Sequence, residues 1–392
     1  MNMIFSQTGA VTRAATLIIL GAALWILAGC GGGLKLTPVK STSEKPSNVA
    51  IYFKVEASDG EPIGGLKADQ FKIYEDGALV SQYESKQTIL NPEVAASHYT
   101  MLLIDMSGSI SESGSTDSVV EAATAFTQKV EKYQKVGVYA FDGSDQIYPI
   151  SPFTNSAASA TAGIKSLKSF KARDPSTNLH GAVAKGLKEL ETALSHAEHP
   201  MRFGTLVVFT DGTDRAGRVS NDDMRKAVGD TQYEVFGIGL GAEIKEDQIK
   251  QVGKNGTAMA QDKSQVTGAF DTIAKRIESQ TKAYYLLSYC SPARAGEHEV
   301  EIEAIATEAD GKKERKGRLS QRFDATGFGP NCDPNRPPKF DTSKGDALAP
   351  KDKDEPKKAS GSISVGTDTK KSTPAPSGNQ PKPVKPGDDF NP

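Results

Sequence analysis

A chain of 392 residues with a formal net charge of −2 exceeds one compact core of ordinary size and leaves room for two domains plus tails. That near-neutral balance carries no basic excess, which excludes the electrostatic footprint of a nucleic-acid binder. Only 37% of the residues are hydrophobic, low for a chain folded throughout, so the composition predicts unfolded ends.

Residues 1–29 read as an export signal. Arg13 precedes the apolar run Ala14–Ala28, interrupted by Gly21, and small residues follow it. The run is shorter than the ~20 residues a bilayer-spanning helix needs; a short membrane anchor helix is the alternative. The ending Leu27-Ala28-Gly29-Cys30 resembles the lipobox of bacterial lipoproteins. That resemblance implies that Cys30 is lipidated and begins the mature chain, and several acyl chains hold a protein far longer than one. Gly31 resembles the second residue of lipoproteins sorted to the outer membrane. The expected location is therefore the bacterial cell envelope, lipid-anchored, with the leaflet open.

Residues 30–47, rich in Gly, Ser, Pro and Lys, are expected to form a flexible linker. Region 48–95 carries the strand-like segments "VAIYFKVEA", "FKIYEDG" and "SQYESKQTIL", separated by turn signals. Region 284–334 has "YYLLSYC", "HEVEIEAIA" and "KGRLSQRF", again broken by Gly, Pro and Asp. Each region is small for an independent sheet domain. We expect them to pair into one β-sandwich with the middle region inserted between them, two separate β-units being the alternative. Residues 335–392, poor in aromatics and rich in Pro, Lys, Asp, Ser and Gly, are expected to be a disordered tail.

The middle region, 96–283, alternates strand and helix. "YTMLLI" precedes a helical face of Val119, Ala123, Phe126, Val130 and Tyr133, with Ser118 and Glu121 spaced as a capping box at its start. "VGVYAF" and "QIYPI" follow, then a helix over 178–195 with the stripe Leu179, Val183, Leu187, Leu190 and Leu194. "TLVVF", a helix near 221–228, "YEVFGIGL" and short helices on either side of "GTAMA" complete the region. Continuous apolar strands joined by amphipathic helices predict a mostly parallel, doubly wound α/β sheet covered on both faces.

Ligands of such sheets sit beyond the carboxyl ends of the strands, where three oxygen-rich clusters fall: "DMSGS", "DPSTNLHGA" and "TDGTD". They offer Asp105, Ser107, Ser109, Thr177 and Asp211. A donor set of hard oxygens, without sulfur or imidazole, selects Mg²⁺, Mn²⁺ or Ca²⁺ over zinc or copper. Gly108 is expected to permit a tight bend that turns two serine hydroxyls toward one point. Neutral hydroxyl ligands leave a cation poorly neutralised and attractive to an outside carboxylate. Capping and turn formation without metal is the competing reading of these residues.

"DMSGS", the threonine of "STN" and the aspartate of "FTDGTD" resemble the metal-ion-dependent adhesion site of von Willebrand factor type A domains. The resemblance implies Ser107, Ser109 and Thr177 as principal direct ligands, with Asp105 and Asp211 holding the metal directly or through water. It also implies a protein partner that presents an Asp or Glu to the metal, Mg²⁺ being the expected cofactor. The bland alternatives are a scaffold that never uses the site and a metal-assisted hydrolase. The latter needs a placed base or second metal for which only His180 offers itself, so no enzymatic activity is expected. Cys290 and Cys332 remain once Cys30 is set aside, and an exported chain favours a bridge between them over two free thiols.

Overall fold

The structure, a computed structural model, describes residues 33–241, 243–307 and 313–341. The export signal, Cys30 and the chain from residue 342 onward lie outside the described residues.

The first strand corrects an expectation. Strand β1 (Leu34–Glu44) occupies most of the segment read as linker and pairs antiparallel with β2 (Asn48–Ala57). Its lysines, serines and threonines disguise a period-2 pattern whose inward members, Leu34 and Leu36, are buried. Pro38 falls at a register shift, where a missing N–H is tolerated. Strands β3 (Phe71–Glu75), β4 (Ala78–Leu79) and β5 (Thr88–Leu90) follow. Of "SQYESKQTIL" only the last three residues form strand, because residues 82–86 are spent on turns.

The α/β region runs β6 (Ala96–Asp105), α1 (Gly108–Glu112), α2 (Thr116–Val130), β7 (Lys135–Phe141), β8 (Ile147–Thr154), α3 (Ala157–Lys165), α4 (Leu179–Ser195) and β9 (Met201–Thr210). It continues through α5 (Asn221–Asp230), β10 (Glu234–Leu240), α6 (Glu246–Val252), β11 (Gly256–Ala260) and α7 (Val266–Lys282). The capping-box expectation at Ser118 fails: Ser115 is the N-cap of α2 and Ser118 lies inside the helix. Helix α3 had no clear stripe in the sequence, and α7, with 17 residues, is not short. Among the described residues, no helix is long and apolar enough to cross a membrane.

Six strands form one sheet in the order β11-β10-β9-β6-β7-β8, parallel except for β8. Alternate residues of β6 serve opposite faces. Leu102 and Ile104 pack with Phe126 of α2 and Phe270 of α7, whereas Met101 and Leu103 pack with Val183 and Leu187 of α4. Burial on both faces is why this strand reads as an unbroken apolar run. Full burial of each such side chain contributes about 1.5–3 kcal/mol.

After α7 the chain enters β12 (Tyr284–Cys290), β13 (Glu297–Thr307) and β14 (Glu314–Asp324). Two four-stranded sheets result, β1-β2-β12-β5 and β14-β13-β3-β4. Each therefore mixes strands from before and after the α/β region, and together they enclose one core of Ile51, Phe53, Phe71, Ile73, Leu287 and Ile302. Opposite residues of β2 and β12, Ala50, Tyr52 and Leu286, face away from that core and pack with Ala96 and Met201 of the α/β region. Phe340 joins this junction, buried among the same residues. Residues 335–341, expected to belong to a disordered tail, are instead tied to the fold: Lys339 N–H donates to Glu44, and the Arg336 guanidinium pairs with the same carboxylate at 2.7 Å. Cys290 and Cys332 form a disulfide that fastens this closing segment to the end of β12.

Candidate metal centre

In the six-stranded sheet, β6 is followed by β7 on one side and neighbours β9 on the other, so strand order reverses between β6 and β9. The crevice above such a reversal is where a doubly wound sheet accepts ligands. Asp105 ends β6 and Thr210 ends β9, one step beyond the paired Ile104 and Phe209.

Asp105 is fully buried and both its oxygens are engaged. One accepts the Ser107 N–H at 2.9 Å, and the other accepts the Thr210 hydroxyl at 2.7 Å. The first bond folds "DMSGS" back over its own strand end. Ser107 occupies the N-cap position of α1, yet its side chain makes no capping bond. Its Oγ lies instead 3.2 Å from Ser109 Oγ, and Ser109 Oγ donates to Asp211 at 2.8 Å. Capping therefore does not account for Ser107.

Gly108 earns its place differently from the expected bend. It is not among the glycines with left-handed φ; a Cβ there would meet Pro175 Cβ at 3.0 Å and Pro175 O at 3.2 Å. The close approach lets Gly108 N–H donate to Pro175 O at 2.9 Å, which docks the serine loop onto the segment carrying Thr177. That segment has its own anchor in Asp142, a fully buried residue just past β7. The Asp142 carboxylate accepts the backbone N–H of Ser144 and of Arg173, and its carbonyl accepts Asn178 N–H. Asn178 in turn caps α4 by accepting Gly181 N–H at 3.2 Å. Glycine at 181 leaves room for this cap, since a Cβ there would fall 2.4 Å from the capping oxygen and displace the Asn178 side chain. Thr177 is buried, its carbonyl accepts the N–H groups of Arg215 and Ala216, and its Oγ1 lies 3.6 Å from where a Cβ on Gly212 would sit.

Asp105, Ser107, Ser109 and Asp211 thus share one crevice, and Thr177 lies beside Gly212 next to it. The sequence reading missed Thr210, Asp142 and Asn178, which orient the others. Polar residues that finish a strand or begin a helix were the available signal, but it does not say which partner they hold. His180 is held to one side, with its N–H donating to Asp214 and Nδ1 next to Val219 O.

Electrostatics favour a cation here. Burial, and next the charge of Asp211, push the Asp105 carboxyl up to about 7, against the opposing hydrogen bonds of Thr210 and Ser107. Burial also raises Asp211, with the Glu243 charge adding to it while Ser109 and Arg215 oppose it. Two carboxylates raised in one crevice are relieved by a positive charge between them. Among the described residues, no three His, Cys, Asp or Glu side chains cluster as a metal site; the donors assembled here are three hydroxyls and two carboxylates. This all-oxygen set fits a hard divalent ion.

Residues 100–213 match the family model of the von Willebrand factor type A domain, a span that contains all five oxygen residues. No curated protein matches the chain. Among solved structures, the chain is similar to a von Willebrand factor type A protein from Catenulispora acidiphila, at 11% identity and TM-score 0.40, over 76% of this chain and 75% of that one. It is similar to the ArnB paralog VWA2 from Sulfolobus acidocaldarius at 16% identity and TM-score 0.37, over 74% of each chain. It is also similar to proximal thread matrix protein 1 from the mussel byssus with a zinc-occupied MIDAS motif, at 18% identity and TM-score 0.38, over 46% of this chain and 48% of that one.

Proposed function

We propose that the chain, whose residues 100–213 match the family model of the von Willebrand factor type A domain, is a lipid-anchored envelope protein that binds a protein partner through a divalent cation. Ser107, Ser109 and Thr177 are its direct ligands, Asp105 and Asp211 hold it directly or through water, and Mg²⁺ is the resident ion. The ion supplies a coordination position for an Asp or Glu of the partner. The chain's own residues do the rest: Asp105 and Asp142 fix the loops, and Thr210 keeps Asp105 oriented. The observation that carries this reading is the uncapped Ser107 hydroxyl, turned toward Ser109 and on to Asp211.

Cys30 provides the anchor in this reading and the outer membrane its destination. Acyl labelling in cells that is lost in Cys30→Ser tests that part separately. The binding function is tested with the soluble chain from residue 31, by Mg²⁺ calorimetry and by partner capture with and without EDTA. Saturable Mg²⁺ binding and capture that EDTA abolishes, both lost in Ser107→Ala with Ser109→Ala, are the expected results. Capture that EDTA and the double substitution leave unchanged would overturn the reading in favour of a scaffold.

A further inference from the structure

Sheet edges expose unpaired backbone groups, and proteins guard them with charge, proline, shortness or cover. Among the described residues, most edges of this protein are guarded. Strand β8 carries Pro149 and Pro152 and two register breaks. Strand β14 bears Glu314, Arg315, Lys316, Arg318, Arg322 and Asp324, and β1 has Lys35, Pro38 and Lys40. Strands β4 and β5 are two and three residues long.

The exception is β11, Gly256-Thr257-Ala258-Met259-Ala260, at the outer edge of the six-stranded sheet. It has neither charge nor proline. Beside it runs a groove of about 470 Å³ whose other wall is Ser264 and Gln265, just before α7, and Gly268, Ala269 and Thr272 of α7, all small or neutral. A Cβ on Gly268 would meet nothing within 4 Å, so this wall has room for another strand.

We propose that β11 is a self-association edge, pairing antiparallel with β11 of a second copy about a two-fold axis. A neutral strand centre suits self-pairing, because a charge at the two-fold axis would oppose its own copy. With Ala258 opposite Ala258, Thr257 faces Met259 and Gly256 faces Ala260, in both directions. No bulky or like-charged pair is opposed. The flanks are complementary as well: Lys254 precedes the strand and Asp262 follows it, so antiparallel pairing brings each lysine to the end that carries the other copy's aspartate. Strand addition would continue the six-stranded sheet of one copy into that of the other. It would also leave the carboxyl edges, with Asp105 and Asp211, pointing in opposite directions.

Sedimentation of the soluble chain over a concentration series tests the proposal. A reversible monomer–dimer equilibrium is expected, with the amides of residues 256–260 gaining protection from hydrogen exchange as concentration rises. Gly268→Arg, at an open helical position, should weaken dimerisation at least about tenfold while the unfolding transition is retained. Lys254→Glu and Asp262→Lys should each weaken it, and the double reversal should restore it. A chain that stays monomeric at every concentration overturns the proposal, as does a dimer indifferent to Gly268→Arg. Restoration that fails in the double reversal would overturn the antiparallel register. None of these readouts requires a bound metal.

Discussion

The β-sandwich and the crevice where β6 and β9 end bury acids in different surroundings. In the sandwich each buried carboxylate has its complement at hand. Glu303 takes two hydrogen bonds from the Arg318 guanidinium at 2.8 and 2.6 Å, and Glu75 accepts the hydroxyls of Tyr289 and Ser291. In the α/β region burial and then the charge of Asp211 raise Asp105, and burial and the charge of Glu243 raise Asp211 against the opposing hydrogen bond of Ser109 and charge of Arg215. A buried carboxylate met only by neutral donors is expensive to keep charged, and in the proposed function a cation supplies the opposite charge. The acids of the sandwich are met by its own side chains, and in the proposed function those of the crevice are met by a cation.

The largest expected effect tests the self-sufficient half. Replacing Cys290 and Cys332 together by serine should lower stability by about 2–5 kcal/mol in chemical denaturation, because the bridge ties down residues 42 apart in sequence. Mg²⁺ affinity should not change. An equal loss of affinity would dissolve the distinction between the two regions.

Ligand dependence should be confined to the other half. Mg²⁺ at a hundredfold excess over its dissociation constant should stabilise the protein by about 3 kcal/mol, and Asp105→Asn should remove that gain. Asn keeps the shape of the side chain and so spares the fold, whereas Asp105→Ala also leaves the Thr210 hydroxyl without its acceptor, at a further cost of about 1–3 kcal/mol. Denaturation curves with and without EDTA separate the two costs.

The junction between the regions should respond to pH. His98 stacks on Phe203 with ring centroids 4.6 Å apart, and its Nε2 lies 3.4 Å from the Tyr52 hydroxyl. Burial lowers its pKa from 6.5 to about 4. The unfolded chain therefore binds the proton more readily, and stability falls as pH drops from about 6.5 toward 4, by about 3 kcal/mol at most. Asp105 slopes the other way in the metal-free protein. Its folded pKa of about 7 exceeds the ordinary 3.8, so it costs stability as pH rises from 3.8 through 7. Subtracting the pH profiles of His98→Phe and Asp105→Asn from that of the parent should expose two slopes of opposite sign. A single sign would refute the assignment.

The smallest effect concerns positioning. Asn178→Ala removes the cap of α4 and should cost about 1 kcal/mol. It should also weaken Mg²⁺ binding without abolishing it, because Thr177 precedes the cap directly. Titration calorimetry of this variant distinguishes a loosened ligand from a lost one.

Much of this was legible in the residues. The stripe from Leu179 to Leu194 fits α4, because helical spacing of leucines on one face has few other outcomes. Oxygen-bearing residues that end strands or open a helix in a doubly wound sheet could be singled out too, and Ser107, Ser109 and Asp211 lie in one hydrogen-bonded chain. Less could be read where composition concealed pattern. Leu34 and Leu36 alternate inside a run of Lys, Ser and Thr, so a strand looked like a linker. Ser118 and Glu121 had the spacing of a cap, but the helix starts two residues before Ser118, with Ser115 at the N-cap position and no side-chain capping bond.

By itself the sequence determined the local events: which runs are helix or strand, which loops carry oxygen, and which cysteines remain to pair. Those follow from side-chain periodicity and turn chemistry, which act over a few residues. Only the tertiary structure decided that Ser109 reaches Asp211, 102 positions away, that Thr210 orients Asp105, and that Phe340 closes the junction between the two regions. Such contacts depend on strand order and register, and these are set by burial of whole faces against one another rather than by any single stretch of chain.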